Sequence, residues 1–371
     1  MSDLIPYALP SITELEINYV NDAISNGWGE SRSKYLDQLE NMFSKVIGAE
    51  KAIATSSCTG ALHLGLSALG VGSGDEVILA DTNWIATVAP VVHLGAKPIF
   101  VDIDPETWCI DPNRIEEAIT EKTKAVVVTH LYGNLADLNA IKKVISNREI
   151  FLIEDAAEAI GSFYEGRAAG SFGKFGVFSF HGSKTVTTGE GGCLVTSDPN
   201  LYEKALVLSN HGRSDSDPGI FSPQKLGYKF KMSNVQAAIG CGQVERIEEL
   251  VKKKQEILEI YRKLFSKDKN LRLNPIQKDC ENGAWMPTLQ IEGKSVAISE
   301  TIESVLRSLG IDARPVFKPL STLPMFSERN TGRNSLSFSQ SAINLPSFHV
   351  MTNGQIELIV ESIFDILSSA D

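Results

Sequence analysis

Short apolar runs and helical patterns alternate along the chain between residues 52 and 153. The apolar runs predict strands over 52–54, 76–80, 98–101, 125–129 and 150–153. The patterns between them predict helices over 61–69, 85–94, 113–119 and 138–146. Apolar strands separated by helices are typical of a mostly parallel sheet that is covered on both faces. Function in such sheets gathers at the carboxyl ends of the strands, so the residues that follow each run are candidates for a site.

The flanking segments predict an N-terminal arm and a second domain. Ser11 and Thr13 are each followed three residues later by a glutamate, a capping-box pattern for a helix that ends near residue 25. The other predicted elements are helices over 35–47, 201–208, 233–265, 298–309 and 355–367, strands over 193–196 and 285–290, and a polar loop over 210–225. With 371 residues, the chain has the length of about two domains. We expect an arm over 1–14, a large domain over 15–250 and a small domain over 251–371.

Composition excludes several classes of partner and of site. The net charge is -11 and no block of basic residues occurs, which argues against nucleic acid and anionic membranes as partners. The N-terminal residues lack the pattern of a secretion signal, and no run of about 18 apolar residues is present, so we expect a cytoplasmic protein. The five cysteines form no CxxC pair and the six histidines no metal-ligand spacing. We therefore predict neither disulfides nor a metal site.

Lys184 has the sequence surroundings of a reactive amine. It lies in FSFHGSKTVTTGEGG (178–192), between an aromatic strand end and a glycine-rich return. A lysine set among apolar residues can attack a carbonyl carbon, although a loop lysine beside a glycine turn is the plainer interpretation. The segment GVFSFHGSKT is superficially similar to a nucleotide-binding GxxxxGK[ST] loop. However, five residues separate Gly176 from Gly182 and Ser183 precedes the lysine, so that motif is not met.

Three further features follow predicted strands. TSSCTG (55–60) offers backbone amides and hydroxyls at a helix start, either as an anion cradle or as a plain N-cap. Asp155 follows an apolar strand and needs a cationic partner at the mouth of a sheet, and Glu158 would share its helical face. An acidic helix cap is the plainer interpretation of Asp155. Trp84 could stack on a planar ligand, although a tryptophan is more often part of the core.

Pyridoxal phosphate is a cofactor that would use all four features together. Its phosphate suits TSSCTG and its flat ring suits Trp84. Its ring nitrogen suits Asp155, and its aldehyde suits the amine of Lys184. The sequence therefore favours a pyridoxal phosphate enzyme.

The motifs of the chain resemble, in order and spacing, the DegT/DnrJ/StrS family of sugar aminotransferases. These motifs are TSSCTGALH, DTNWIAT, FVDIDPETWCID, HLYGN, IEDAAEA, FSFHGSKTVTTGEGG, NHGR, YKFKMSNVQAAIG and RPVFKPLSTLPMF, which cover nearly the whole chain. The resemblance implies an α/β fold of the aspartate-aminotransferase type (fold type I). That fold has a large domain with a mixed, mostly parallel seven-stranded sheet and a smaller α+β C-terminal domain. It also implies a homodimer with active sites at the subunit interface.

The resemblance also implies roles for individual residues. Lys184 matches the Schiff-base lysine, Asp155 the partner of the pyridine nitrogen and Trp84 the stacking aromatic residue. Glu158 matches a position near the cofactor hydroxyl. The residues that match phosphate ligands are Thr59, the amide of Cys58, Ser179 and, contributed by the neighbouring subunit, Asn234.

Substrate contacts are predicted at weaker motifs. Related enzymes that aminate nucleotide-linked 4-keto-6-deoxy sugars, of the perosamine-synthase type, carry PxHTxP where this chain has Ser321 in PLSTLP. They carry a Trp-Ile/Val-Ser-Ser stretch where this chain has Trp28 in GWGES. Further candidates for substrate contacts are His181 and Arg314, together with Arg213 or His211 in the polar loop.

The expected reaction moves an amino group from L-glutamate to a keto or aldehyde sugar. The perosamine type of acceptor has an alternative, an 8-oxo derivative of the octulosonate sugar KDO. Two other classes are alternatives. One is a sugar dehydratase, against which Lys184 argues because that branch carries a histidine in place of the lysine, and the other is a non-catalytic regulator that binds the cofactor as a ligand.

Overall fold

The computed structural model describes residues 4–214, 216–219, 221–293, 298–326 and 332–369. The helices are α1 (Glu14–Asn26), α2 (Lys34–Ile47), α3 (Cys58–Ala68), α4 (Ile85–His93), α5 (Pro112–Ala118), α6 (Leu138–Ile145), α7 (Pro199–Ser209), α8 (Asn234–Glu245), α9 (Ile247–Phe265), α10 (Ile298–Ser308), α11 (Arg333–Ser341) and α12 (Asn353–Ser369). The strands are β1 (Lys51–Thr55), β2 (Glu76–Ala80), β3 (Lys97–Val101), β4 (Thr123–Thr129), β5 (Phe151–Asp155), β6 (Phe163–Tyr164), β7 (Arg167–Ala168), β8 (Phe175–Ser179), β9 (Gly192–Thr196), β10 (Leu271–Leu273), β11 (Cys280–Glu281), β12 (Thr288–Ile291), β13 (Arg314–Pro315) and β14 (Ala342–Asn344).

A seven-stranded mixed sheet forms the centre of the fold. Its strand order is β1-β9-β8-β5-β4-β2-β3, and β9 runs antiparallel to both of its neighbours while the other pairs are parallel. Val77 and Leu79 pack on the face covered by α3, α4 and α7, whereas Ile78 and Ala80 pack on the other face with α5 and α6. This alternation buries both faces, which confirms the predicted doubly covered, mostly parallel sheet.

A second, smaller sheet has the order β10-β12-β14-β13 and is antiparallel in every pair. Its apolar residues share one core with residues of α9, α10 and α12. The predicted strand over 285–290 begins later than expected, at Thr288, so Trp285 lies in the segment that leads into β12. Because β13 and β14 have only two and three residues, they carry too little periodicity for a sequence-based prediction.

The prediction of one long helix over 233–265 is wrong, because the chain forms two helices there. Arg246 separates α8 from α9 with φ -104° and ψ 10°, which lies outside the helical region. Its guanidinium donates to Glu16 Oε1 at 2.9 Å and to the Ser11 carbonyl at 3.4 Å. Glu16 is also the capping-box residue of α1 with Thr13, as the sequence predicted. The break therefore coincides with the attachment of the N-terminal segment.

Helix α9 contributes to two cores. Leu250 packs with residues of α2 and α8, whereas Ile257, Tyr261 and Phe265 pack with the smaller sheet. The predicted boundary after residue 250 falls inside this helix, and the division into an arm and two domains stays a prediction.

Lys254 lies in α9 and is only 2% exposed, with Nζ donating to the Ser347 carbonyl at 2.8 Å. Burial lowers the pKa of its amine from 10.5 to about 7, with a smaller contribution from Lys184. The unfolded chain therefore binds more protons than the folded one between these pKa values, and the stability that the wild type draws from this residue rises with pH.

Replacing Lys254 by methionine should remove this dependence on pH. We expect the stability of Lys254→Met relative to the wild type to fall by about 1 kcal/mol per pH unit from pH 7 to 9. Urea unfolding across this range measures the difference. The matched control is Lys252→Met, at an exposed position of the same helix. A stability difference between Lys254→Met and the wild type that does not vary with pH would contradict a lowered pKa of Lys254 in the folded protein.

Candidate active site

A cavity of about 1120 Å³ lies at the carboxyl ends of β1, β2, β4, β5 and β8. Its other wall comes from the N-terminal arm, through Tyr7, and from the region of the smaller sheet. Nine of the predicted site residues line this cavity: Cys58, Thr59, Trp84, Asp155, Glu158, Ser179, His181, Lys184 and Arg314. Segments that are far apart in the sequence thus meet where parallel sheets bind their ligands.

Lys184 lies in the return between β8 and β9. Its side chain is 13% exposed, and Nζ is 3.2 Å from Glu158 Oε1. The same nitrogen lies 3.3 Å from the centroid of the Trp285 ring. The amine therefore has a carboxylate and an aromatic face as neighbours, and the cavity is open to it.

Asp155 is the last residue of β5, rather than the first residue after the strand, and it is buried. Its Oδ2 accepts from the Thr87 hydroxyl at 2.6 Å, and its Oδ1 accepts from the Ala157 amide at 3.1 Å. Burial raises the pKa of this carboxyl, and the hydrogen bonds from Thr87 and Ala157 oppose that effect. A cation in the cavity would compensate the buried charge, which a protonated ring nitrogen supplies.

The sequence predicted that Glu158 shares a helical face with Asp155. This prediction is wrong, because the chain forms a turn at residues 157 and 158. The turn nevertheless brings both carboxylates to the cavity. Glu158 Oε2 accepts from the Tyr132 amide at 2.9 Å while Oε1 faces Lys184. Burial raises the pKa of Glu158, and the nearby Lys184 ammonium opposes the shift.

Thr87 should tune the charge of Asp155. In Thr87→Val the shape is kept but the donor to Asp155 Oδ2 is lost, so the pKa of the carboxyl rises further. Because hydrogen bonds to charged groups contribute about 1.5–3 kcal/mol, we expect kcat to fall at least about tenfold. The acidic limb of the kcat profile should also move to higher pH. Steady-state rates across pH measure both effects. An unchanged profile would contradict the inference that the Thr87 hydroxyl lowers the pKa of Asp155.

The first turn of α3 forms the N-cap that TSSCTG offered, and its role as an anion cradle stays a prediction. Ser57 is the N-cap, and its Oγ accepts from the Gly60 amide at 3.0 Å. The amides of Cys58 and Thr59 precede that bond and have no acceptor within the helix. β9 passes so close that a Cβ on Gly192 would lie 2.3 Å from the Cys58 nitrogen. Burial keeps the pKa of the Cys58 thiol well above its usual value, so its amide is the useful group.

Trp84 precedes α4 and is 56% exposed on the cavity wall. Its ring packs against Phe317 with centroids 5.6 Å apart, and Phe317 also contacts Tyr132 at 5.5 Å. The exposed face of Trp84 is available to a planar ligand, and Phe317 limits how far the indole can turn.

The other predicted residues lie outside this cavity. Ser321 is buried and donates through its amide and its hydroxyl to Asp81, at 2.8 and 2.7 Å. Asn234 accepts from the Tyr35 amide at 2.9 Å at the start of α8. Trp28 is 67% exposed, and Arg213 lines a separate cavity beside α7. His211 is exposed in the same polar loop. Their predicted roles stay predictions.

Sequence reasoning missed several residues that line the cavity, namely Tyr7, Thr87, Trp285, Phe317 and Asn344. Thr87 could have been recognised, because it lies in the first turn of the helix that follows Asn83 and Trp84, at the end of a predicted strand and its turn. Its hydroxyl contacts the Asn83 side chain at 3.0 Å. Trp285 and Tyr7 come from distant segments, for which the sequence offers no local signal.

Within the described ranges, no group of three or more His, Cys, Asp or Glu side chains is arranged to hold a metal ion. No helix among those residues has the length and hydropathy of a membrane span.

Comparisons with known proteins identify relatives along nearly the whole chain. GDP-perosamine synthase from Escherichia coli O157:H7 is 38% identical over 365 residues, covering 98% of this chain and 99% of the relative. The PMP form of Spr1654 from Streptococcus pneumoniae superposes with a TM-score of 0.93 at 28% identity, covering 99% of this chain and 98% of that one. A structure of the GDP-4-keto-6-deoxymannose-3-dehydratase ColD with bound GDP-perosamine superposes with a TM-score of 0.87 at 26% identity, covering 97% and 100%.

The family profile for DegT/DnrJ/EryC1/StrS aminotransferases matches residues 10–364. The matched range includes every residue that lines the cavity described above, apart from Tyr7. The chain therefore belongs to the DegT/DnrJ/EryC1/StrS aminotransferase family.

Proposed function

We propose that this chain is a pyridoxal phosphate-dependent aminotransferase that moves an amino group from L-glutamate to a nucleotide-linked 4-keto-6-deoxy sugar. One observation carries the proposal. A lysine amine, a buried carboxylate and an open helix N-terminus converge on one cavity at the carboxyl edge of the sheet. This set of groups is complementary to an aldehyde, a ring nitrogen and a phosphate.

The residues present fit the cofactor. The amides of Cys58 and Thr59, with Ser179 at the end of β8, would hold the phosphate. Asp155 would hold the ring nitrogen and Trp84 the ring face. Asp155 is buried, and each of its carboxylate oxygens accepts a hydrogen bond, which fixes the orientation of the carboxylate. Its negative charge suits a cationic partner. When bound, the cofactor supplies a ring that withdraws electrons from the carbon bearing the amino group.

Lys184 performs two tasks in the reaction. Its amine is the group that would bind the cofactor aldehyde covalently, and in its free form Nζ would lie beside the cavity, 3.2 Å from Glu158. There it can move a proton between neighbouring atoms as a general acid and base. Glu158, 3.2 Å from Nζ, holds the free ammonium in place. Because donor and acceptor use the same cavity in turn, we expect ping-pong kinetics.

The size and rim of the cavity support a large acceptor. A volume of about 1120 Å³ is slightly above the usual range of about 300–1,000 Å³ for small-molecule sites, which leaves space beyond a cofactor. Cationic side chains of Arg307, Arg314 and Lys318 lie on its outer wall. Arg314 is paired with Asp312 at 3.0 Å, so an anionic group would have to share or displace that contact. The names of the E. coli relative and of ColD both refer to GDP-linked sugars.

Product analysis separates the candidate acceptors. The holoenzyme is incubated with [15N]glutamate and either GDP-4-keto-6-deoxymannose or an 8-oxo form of KDO, and the products are identified by mass spectrometry. We expect 15N in the nucleotide-linked sugar. Labelling of the free sugar acid alone would favour the 8-amino-KDO alternative, and labelling of neither would contradict both.

We further infer a homodimer in the cytoplasm. Asn234, a predicted phosphate ligand of the neighbouring subunit, lies outside the cavity of its own chain, which supports a shared site. Ile17, Ile24 and Trp28 leave apolar surface on and beside α1 for a partner. The five free cysteines suit a reducing compartment. Light scattering of the purified protein tests the dimer, and a monomer at working concentration would contradict it.

A further inference from the structure

Trp285 contacts the reactive lysine in two ways. The centroid of its ring lies 3.3 Å from Lys184 Nζ, well within the range of a cation–π contact. Its Nε1–H donates to the carbonyl of Ser183, the residue before the lysine, at 2.8 Å. The indole therefore touches both the amine of Lys184 and the backbone that carries it.

The indole is itself firmly held. It is 5% exposed and lies nearly parallel to the Tyr132 ring, with centroids 6.0 Å apart. The preceding residue, Ala284, has φ +55°, a conformation that requires support from its surroundings. That support comes from hydrogen bonds of the Ala284 amide to Asn282 Oδ1 at 2.6 Å and of the Gly283 amide to Ser162 Oγ at 2.9 Å. The segment thus presents the indole face at a fixed position.

Glu158 completes the surroundings of the amine. Its Oε1 lies 3.2 Å from Nζ, while its Oε2 is held by the Tyr132 amide. Tyr132 thus touches both groups that contact the ammonium, the carboxylate through its amide and the indole through its ring. The ammonium has one neighbour with full negative charge and one with a negative aromatic face, and both attract a cation in a partly dehydrated site.

We propose that Trp285 is a positioning residue that seats the free amine of Lys184 whenever it is not covalently bonded. The inference rests on the proposed role of Lys184 as the group that moves the proton. A flexible lysine has many rotamers, and a proton carrier must stay within reach of the reacting atoms. The indole face and Glu158 together restrict the amine to one position, and the Ser183 hydrogen bond fixes its backbone.

A nuclear magnetic resonance experiment tests the seat without turnover. The full chain, freed of cofactor, is reductively methylated with [13C]formaldehyde, and the Lys184 signal is assigned by its absence in Lys184→Arg. Because the ring current of an indole shields groups above its face, we expect the Lys184 methyl signal upfield of the signals from exposed lysines. It should move to their position in Trp285→Leu and stay upfield in Trp285→Phe. A wild-type Lys184 signal among those of exposed lysines would overturn the proposal, whether or not the variants fold.

Kinetics provide the second readout. We expect kcat of Trp285→Leu to fall about tenfold, with little change in KM for glutamate, because substrate contacts are kept while the amine loses its seat. Trp285→Phe keeps an aromatic face and should recover most of the loss. A Leu variant with wild-type kcat would overturn the proposal. Should the protein catalyse no amino transfer at all, the proposed function would fail while the methyl signal would still decide whether the seat exists.

Discussion

Replacing Lys184 by alanine should abolish amino transfer, with kcat lowered by about 10⁴-fold or more. A positioned acid–base group contributes about 10²–10⁴-fold, and this residue would supply the nucleophile in addition. Lys184 Nζ borders the cavity at 3.2 Å from the buried Glu158, so the substitution removes the amine from the centre of the candidate site. Rates of 2-oxoglutarate release measure the loss.

The covalent link gives an independent readout. Borohydride reduction followed by peptide mass spectrometry should find the cofactor on Lys184 in the wild type and on no peptide of Lys184→Ala. Lys174→Ala is the matched control, because Lys174 precedes β8 at the far end of the strand and pairs with Asp198 on the surface. That variant should keep its activity. Wild-type turnover in Lys184→Ala would end the proposed mechanism.

The second large effect is expected for Asp155→Asn. The amide keeps the shape of the carboxylate but removes the negative charge that would face the ring nitrogen of the cofactor. Removing one preorganised electrostatic contact typically lowers kcat by about 10²–10³-fold, and the buried position of Asp155 places it at the upper end of that range. The cofactor should also be lost more readily during dialysis, because its ring nitrogen loses its ionic partner.

Rates and cofactor content of the Asp155→Asn protein check this expectation together. The control is Asp75→Asn, in the turn before β2, where the carboxylate accepts from the Gly72 amide. A loss in Asp155→Asn no greater than in the control would show that the charge has no role in the chemistry.

The convergence of the predicted cofactor residues on one cavity could be predicted, because each of them stands in a local motif at a strand end. Cys58 starts a helix directly after β1, Asp155 ends β5, and Lys184 lies in the return after β8. In a parallel sheet such positions lie on one edge, so linear order was enough to bring them together. The sheet itself could be predicted from the alternation of apolar runs and helical patterns, which is also a local signal.

The rest of the site depends on contacts between distant segments. Trp285 reaches Lys184 across 101 positions of sequence, and Phe317 reaches Trp84 from the loop after β13. No periodicity connects such pairs. Similarly, the break at Arg246 coincides with its pairing with Glu16, a contact that helix propensity does not reveal. The sequence predicts a helical face shared by Glu158 and Asp155, whereas a turn positions Glu158 in the structure.

The measurement that tests the central proposal most directly is a half-reaction with glutamate and no sugar. Holoenzyme is mixed with excess [15N]glutamate, and 2-oxoglutarate is quantified together with the 15N content of the bound cofactor. We expect one equivalent of 2-oxoglutarate per subunit, with 15N retained on the cofactor until a keto sugar is added. Bound cofactor that yields no 2-oxoglutarate and gains no 15N would mark the protein as a non-catalytic binder and contradict the proposed aminotransferase.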